Sequence, residues 1–322
     1  MPGTVHIAMA SDAEFSVPLC LAMHSIVAHA TPGTHYRFHL LNSGIKRRLL
    51  DKGGFDYICY DVREKLKHLP CGGRFPYAVY HRFLLPDLLP ADLDRVLYLD
   101  CDIMALEDLT DLYHAPLEDA VLGAVPWVVL GCYQEEFGKV LRSFPARNGL
   151  VDDGSPYFYS SMLLMDLKRM REEGIAAKLL QYAAEAPQGA LLWPDQDVLN
   201  AVLRHRMAPL PLRYNVIPLF LPHLESETEE AKEAYRAPAI VHFAARKPNI
   251  LTGPKDALEE AFFRMWKASP WHRSIPYPLV SLHGMPRPMA SLLRLPMHIA
   301  IRHPRLLRAY GKFLALFRKK QA

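Results

Sequence analysis

Short apolar runs alternate with stretches of helical periodicity through most of this chain, a rhythm that predicts α/β layering around a mainly parallel sheet. Val5–Ser11, Tyr36–Asn42 and Asp56–Val62 read as the first three strands, with a helix over Phe15–Ala30 after the first. A helical segment near Val79–Leu85 leads to a strand that stops at Asp100, and Ala120–Pro126 predicts another strand. Tyr157–Leu167 is a long apolar run, and Lys168–Ala186 reads as one helix. Asp195–Arg204 follows Pro194 as a further helix, with acidic residues in its first turn where the dipole favours them. Ile240–Phe243 is a short strand, and Asp256 and Glu259 have capping-box spacing at the start of a helix that reaches Ala268.

Beyond Pro270 the pattern breaks, with prolines at 276, 278, 286, 288, 296 and 304. The last stretch regains order: Leu306, Leu307, Tyr310, Phe313, Leu314 and Phe317 recur at helical spacing, with Arg305, Arg308, Lys312 and Lys319 mostly on other faces. The expected organisation is therefore one domain over residues 1–275 and a basic, amphipathic helical C-terminal extension over 276–322. Charge sharpens that division. No acidic residue follows Glu260, and the last 62 residues carry 12 Lys and Arg, so the first 260 hold about −8 against +4 for the whole chain. Such a helix suits an anionic membrane surface, or it packs on the protein itself or on a second copy. Nucleic acid is not an expected partner, because the body is acidic and no recognition motif accompanies the basic run.

With 322 residues and 50% hydrophobic content the chain can bury a core without staples. Its five cysteines, at 20, 59, 71, 101 and 132, are scattered and never spaced as Cys-x-x-Cys, which suggests neither a disulfide framework nor a zinc site. The start reads as a strand, not a signal peptide, and no run approaches the ~18 apolar residues of a membrane span. A cytoplasmic protein, peripheral to the inner face of the cell membrane, is the expected setting.

The strand Val96-Leu97-Tyr98-Leu99-Asp100-Cys101-Asp102 gives this scaffold its chemistry. In open α/β sheets ligands collect at the carboxyl ends of strands, and two carboxylates there suit a divalent cation. Magnesium or manganese held in this way completes its shell with a substrate's phosphates, which points to a nucleotide-linked substrate.

Tyr80-His81-Arg82, the Leu-Pro segment after it and Tyr98-Leu99-Asp100-Cys101-Asp102 together resemble glycosyltransferase family 8. Three further blocks are similar to that family, in its order: Ile7-Ala8-Met9-Ala10-Ser11-Asp12; Asp195-Gln196-Asp197-Val198-Leu199-Asn200; and His242-Phe243 followed by Lys247-Pro248. The resemblance covers residues 5 to about 250 and implies a single nucleotide-sugar-binding domain of the GT-A type. It implies Ala10 and Asp12 near the uracil, Glu14 near the ribose, Asp100 and Cys101 against the nucleotide, and Lys247 on the diphosphate. Asp100, Asp102 and His242 would hold Mn2+, or Mg2+. Arg82, Tyr159, Ser160, Asp195 and Gln196 would face donor sugar and acceptor, with Asp195 and Gln196 as the catalytic pair. The family's reaction retains the anomeric configuration.

This chain departs from the family pattern at Tyr159-Ser160-Ser161, where Asn-x-Gly is usual, and at Ala245 and Asn249, where glycine and tryptophan are usual. The activity implied is transfer of galactose or glucose from a UDP-sugar to a glycolipid, oligosaccharide or lipopolysaccharide acceptor. A UDP-sugar-binding protein without transfer activity, recruited to the membrane by its basic tail, is the alternative. A nucleotidyltransferase would want a glycine-rich, basic loop after the first strand, and Ala10–Glu14 is acidic and lacks glycine.

Overall fold

Residues along the central strands alternate between two buried layers. Val5, Ile7 and Met9 of β1 (Thr4–Asp12) pack on one side and Ala8 on the other, and Leu97 and Leu99 of β4 (Arg95–Leu99) oppose Val96 and Tyr98 in the same way. Burial on both faces explains why these strands read as nearly continuous apolar runs. The computed structural model describes residues 3–70, 77–127, 138–187, 189–244, 247–248 and 254–272. The extension 276–322 lies outside the described residues, as do Ala245 and Asn249.

Among the described residues the main sheet has seven strands in the order β3 (Tyr57–Asp61), β2 (His35–Ser43), β1, β4, β7 (Phe158–Asp166), β6 (Leu122–Pro126) and β8 (Met207–Pro209). Pairs β1–β2, β2–β3, β1–β4 and β6–β8 are parallel, while β7 runs antiparallel to both β4 and β6. This is the expected mixed, mainly parallel sheet. A second, two-stranded sheet pairs β5 (Ile103–Ala105) with β9 (Ile240–His242).

One layer is built on α1 (Ser16–Ala28), buried along most of its length, and the other on helices that include α2 (Leu167–Glu172) and α3 (Ile175–Glu185). The expectation of a single helix over Lys168–Ala186 is corrected here. The side chain of Asp166 caps α2 by accepting from Arg169 N at 2.9 Å, and Gly174, at φ 62°, turns the chain before α3. The segment Tyr77–Leu84 is 3-10, not α-helical, and α4 (Pro194–Val202) and α5 (Glu229–Arg236) follow. Helix α6 (Ala257–Ala268) is capped by Asp256, which accepts from Glu259 N at 2.9 Å. The reciprocal half of the expected capping box is displaced by one residue, because Glu259 accepts from Lys255 N at 2.9 Å. Trp271 closes this layer: fully buried, it donates from Nε1 to Leu49 O at 2.9 Å and stacks on Phe55.

Candidate active site and metal centre

Strand register assembles the three candidate metal ligands. The β4–β7 ladder continues one step past Leu99, with Asp100 N donating to Ser161 O at 2.9 Å, and the chain then turns through Asp102 into β5. Antiparallel pairing sets Ile103 opposite His242, and Phe243 N donates to Asp102 O at 2.9 Å. His242 Nε2 therefore stands 3.5 Å from Asp102 Oδ1, and ligand atoms of Asp100, Asp102 and His242 lie within 4.8 Å of one another. The other ring nitrogen is committed, since Nδ1 donates to Asn215 Oδ1 at 2.9 Å, an atom that also accepts from Ser161 Oγ at 3.1 Å. A proton fixed on Nδ1 leaves Nε2 with its lone pair toward the carboxylates. Two hard oxygen donors and one imidazole fit a divalent ion such as manganese.

Two half-buried carboxylates so close together need opposite charge, and each has its own cation. Arg82, 7% exposed at its side chain, donates to Asp100 Oδ1 at 3.2 Å and stands 3.1 Å from Asp195 Oδ2. Its guanidinium also donates to Val79 O and Ser160 O and lies 4.4 Å above the Tyr98 ring, whose hydroxyl donates to Asp100 Oδ1. Asp102 is paired instead with the Lys247 ammonium. Burial, the largest influence on both carboxyls, would raise each pKa. At Asp100 burial prevails over Arg82, with Asp102 adding to the rise, whereas the Lys247 ammonium holds Asp102 well below the usual carboxylate range.

The Asp-Gln-Asp-x-x-Asn block docks α4 onto β7. Asp197, fully buried, accepts from Leu192 N and Trp193 N at 2.6 and 2.9 Å, closing the helix start that Trp193 cannot cap, and takes the Tyr157 hydroxyl at 2.6 Å. Asn200 grips Phe158 through both backbone groups, at 2.7 and 2.8 Å. Gln196 Oε1 accepts from Ser160 N at 3.1 Å, and its buried Nε2 has no hydrogen-bond partner among the described residues. With those contacts made, Asp195 is left facing Arg82.

Arg82, Asp100, Asp102, Tyr159, Ser160, Asp195, Gln196, His242 and Lys247 line one cleft of about 670 Å³. Ala10, Asp12, Glu14 and Cys101 are not part of its lining. They sit at the adjoining ends of β1 and β4, where Cys101 Sγ donates to Ala10 O at 3.0 Å and Asp12 Oδ1 accepts from Glu14 N and Phe15 N at 2.8 and 2.9 Å.

Sequence reasoning missed Asn215, the bond that Ser161 makes to it, and Trp127, which joins Tyr159 and Trp193 in an aromatic wall. Trp127 stacks on Tyr159 with ring centres 4.9 Å apart and 16° between planes, and meets Trp193 edge-on at 4.8 Å. All three rings line the cleft. The position of Trp127, directly after the carboxyl end of β6, was the one available signal.

The sequence profile of "Glycosyl transferase family 8" matches residues 6–248. "General stress protein A" of Bacillus subtilis is 24% identical over 283 residues, covering 83% of this chain and 95% of that protein. "Lipopolysaccharide 1,2-glucosyltransferase" of Escherichia coli K12 is 30% identical over 188 residues, covering 58% of this chain and 53% of its own length. This chain thus spans about half of that glucosyltransferase. Among solved structures, the galactosyltransferase LgtC in complex with donor and acceptor sugar analogs superposes with a TM-score of 0.65 at 24% identity, over 89% of this chain and 99% of that one. An active-site Gln-to-Glu mutant of LgtC gives 0.67 at 23% identity, over the same shares of the two chains.

Proposed function

The chain belongs to glycosyltransferase family 8 and has its GT-A-like α/β fold, and on that premise we propose that it is a retaining hexosyltransferase. In this reading it moves galactose or glucose from a UDP-sugar to a glycolipid or lipopolysaccharide acceptor, with Mn2+ or Mg2+ in the site. The observation that carries it is the Asp100, Asp102 and His242 cluster, with ligand atoms within 4.8 Å, in the same cleft as the buried Arg82–Asp195 pair. An ion bound by the cluster supplies Lewis-acid stabilisation of the leaving diphosphate.

The chain's own residues do the rest. Arg82 fixes the direction of Asp195, whose oxygens accept hydrogen bonds from sugar hydroxyls. Gln196 accepts from Ser160 N through Oε1 and offers its Nε2 as a donor to an oxygen of the sugar or of the departing phosphate. Lys247 offers a point charge to the departing phosphate, and Ala10, Asp12, Glu14 and Cys101 border the nucleotide. The stacked Trp127 and Tyr159, with Trp193 beside them, suit the apolar faces of sugar rings and narrow the choice of hexose and acceptor.

Purified protein given Mn2+ and radiolabelled UDP-galactose or UDP-glucose should release free hexose slowly even without an acceptor. Release that is absent with both sugars and both ions would remove the transferase reading and leave a UDP-sugar-binding protein. We further propose that residues 1–275 form the catalytic domain and that 276–322 attaches it to the inner membrane face. Deleting residues 304–322 should shift the protein to the soluble fraction and spare turnover of a soluble acceptor. Unchanged partition would mean that the helix packs elsewhere.

A further inference from the structure

The two cations that neutralise the aspartate pair are held very differently. Arg82 is buried and tied to Asp100, Asp195, Val79 O and Ser160 O, so it cannot leave without stranding several partners. Lys247 is 28% exposed, sits on a flexible four-carbon stem, and has Asp102 as its partner among the described residues. It lies five positions beyond His242, so the segment that delivers a metal ligand also delivers a competitor for the same carboxylate. Lys247 holds Oδ2 and His242 faces Oδ1 of the same carboxylate, so an ion bound there would bring its positive charge against the ammonium, and the two repel.

We propose that Lys247 is a displaceable counter-ion: it holds Asp102 until a divalent cation takes its place, and only then is its charge free for the donor's diphosphate. This rests on the metal-dependent transferase reading above and goes beyond it in linking two binding events. An ion that arrives without nucleotide must evict Lys247, which lowers its apparent affinity. With UDP present the evicted ammonium gains a new partner, so ion and nucleotide each tighten the other by the same factor. Asp100, Arg82, His242 and Asp195 also face this centre, and none of them is both exposed and tied to a single partner.

The test is equilibrium binding, not turnover. Free Mn2+ is followed by electron paramagnetic resonance in wild type, Lys247→Met and Lys247→Arg, each with and without UDP. Without nucleotide, Lys247→Met should bind Mn2+ roughly 5- to 10-fold more tightly than wild type, and Lys247→Arg, which keeps the charge, should not gain. Adding UDP should tighten Mn2+ binding severalfold in wild type and much less in Lys247→Met. Equal or weaker Mn2+ binding by Lys247→Met without nucleotide, or undiminished tightening by UDP, would overturn the proposal and leave the metal site standing. Failure of wild type and both variants to bind Mn2+ would remove the metal site, and the counter-ion role with it.

Discussion

The central strands solve the burial of polar groups in opposite ways at their two ends. At the carboxyl end, Asp100, Asp102 and Asp195 are matched by the cations Arg82 and Lys247. The uncharged counterpart begins at the amino end of β1: His6 and His39 share a hydrogen bond of 2.9 Å and His39 meets the Tyr60 hydroxyl at 3.0 Å, a chain of rings that crosses diagonally through the middle of β2 into β3. Both histidines have pKa values lowered chiefly by burial, which disfavours charge on the rings, while the more exposed Arg37 and His35 pair with Asp56 beside them. Buried charge is concentrated at the cleft and disfavoured within the ring chain. The two ends should therefore fail differently: one through loss of chemistry or of a charge partner, the other through acid.

The largest effect is expected at Asp102. Asp102→Asn removes an ion ligand but strands only Lys247, which can turn to water, so stability should move by less than about 1 kcal/mol. Turnover of UDP-galactose or UDP-glucose should fall by about 10³-fold, because several kcal/mol of leaving-group stabilisation goes with the ion. Retained turnover would count against the whole site. Arg82→Met comes next and fails in the other currency. It leaves Asp100 and Asp195 facing each other without their cation, which should cost about 3–5 kcal/mol in urea denaturation. A loss under 1 kcal/mol would mean that the buried pair is not held as the distances indicate. Smaller again is Asn215→Ala. His242 would keep its place in β9 but lose the partner that fixes its proton, so Mn2+ affinity should fall about 10- to 100-fold while the nucleotide-free protein stays folded.

That last variant marks the limit of what could be read from sequence. Asp100 and Asp102 stood out because they end a strand that local periodicity reveals, whereas Asp195, Gln196, His242 and Lys247 were singled out only through the resemblance to a family. The bonds that join Asn215 to Ser161 and His242 were not legible, because they depend on β9 passing beside the Val216 backbone, a non-local contact without a local pattern. Fold class and most elements followed from alternation of apolar positions. The single helix over Lys168–Ala186 failed because apolar spacing ran unbroken across Gly174, whose φ of 62° the pattern cannot register. The pairing of Lys247 with Asp102 was equally hidden, since family likeness pointed that side chain at a phosphate.

The smallest effect is in the ring chain, and its sign follows from proton counting. His39 has its pKa lowered to about 4, by burial first and then by His6 and Arg37, against an ordinary value of 6.5. Between those two values the unfolded chain binds a proton that the folded one refuses, so stability falls as pH drops through that window and is fully present above it. Glutamine at this position can keep hydrogen bonds to His6 and Tyr60 without titrating. From pH 7 to pH 5, wild type should therefore lose on the order of 1–2 kcal/mol more than His39→Gln, read as the difference of two urea-denaturation series. Taking the difference cancels the carboxylates of the other end, which titrate in both proteins. Parallel slopes would mean that the ring accepts its proton without leaving the fold, and the amino end would then share the tolerance of charge that Arg82 and Lys247 give to the carboxyl end.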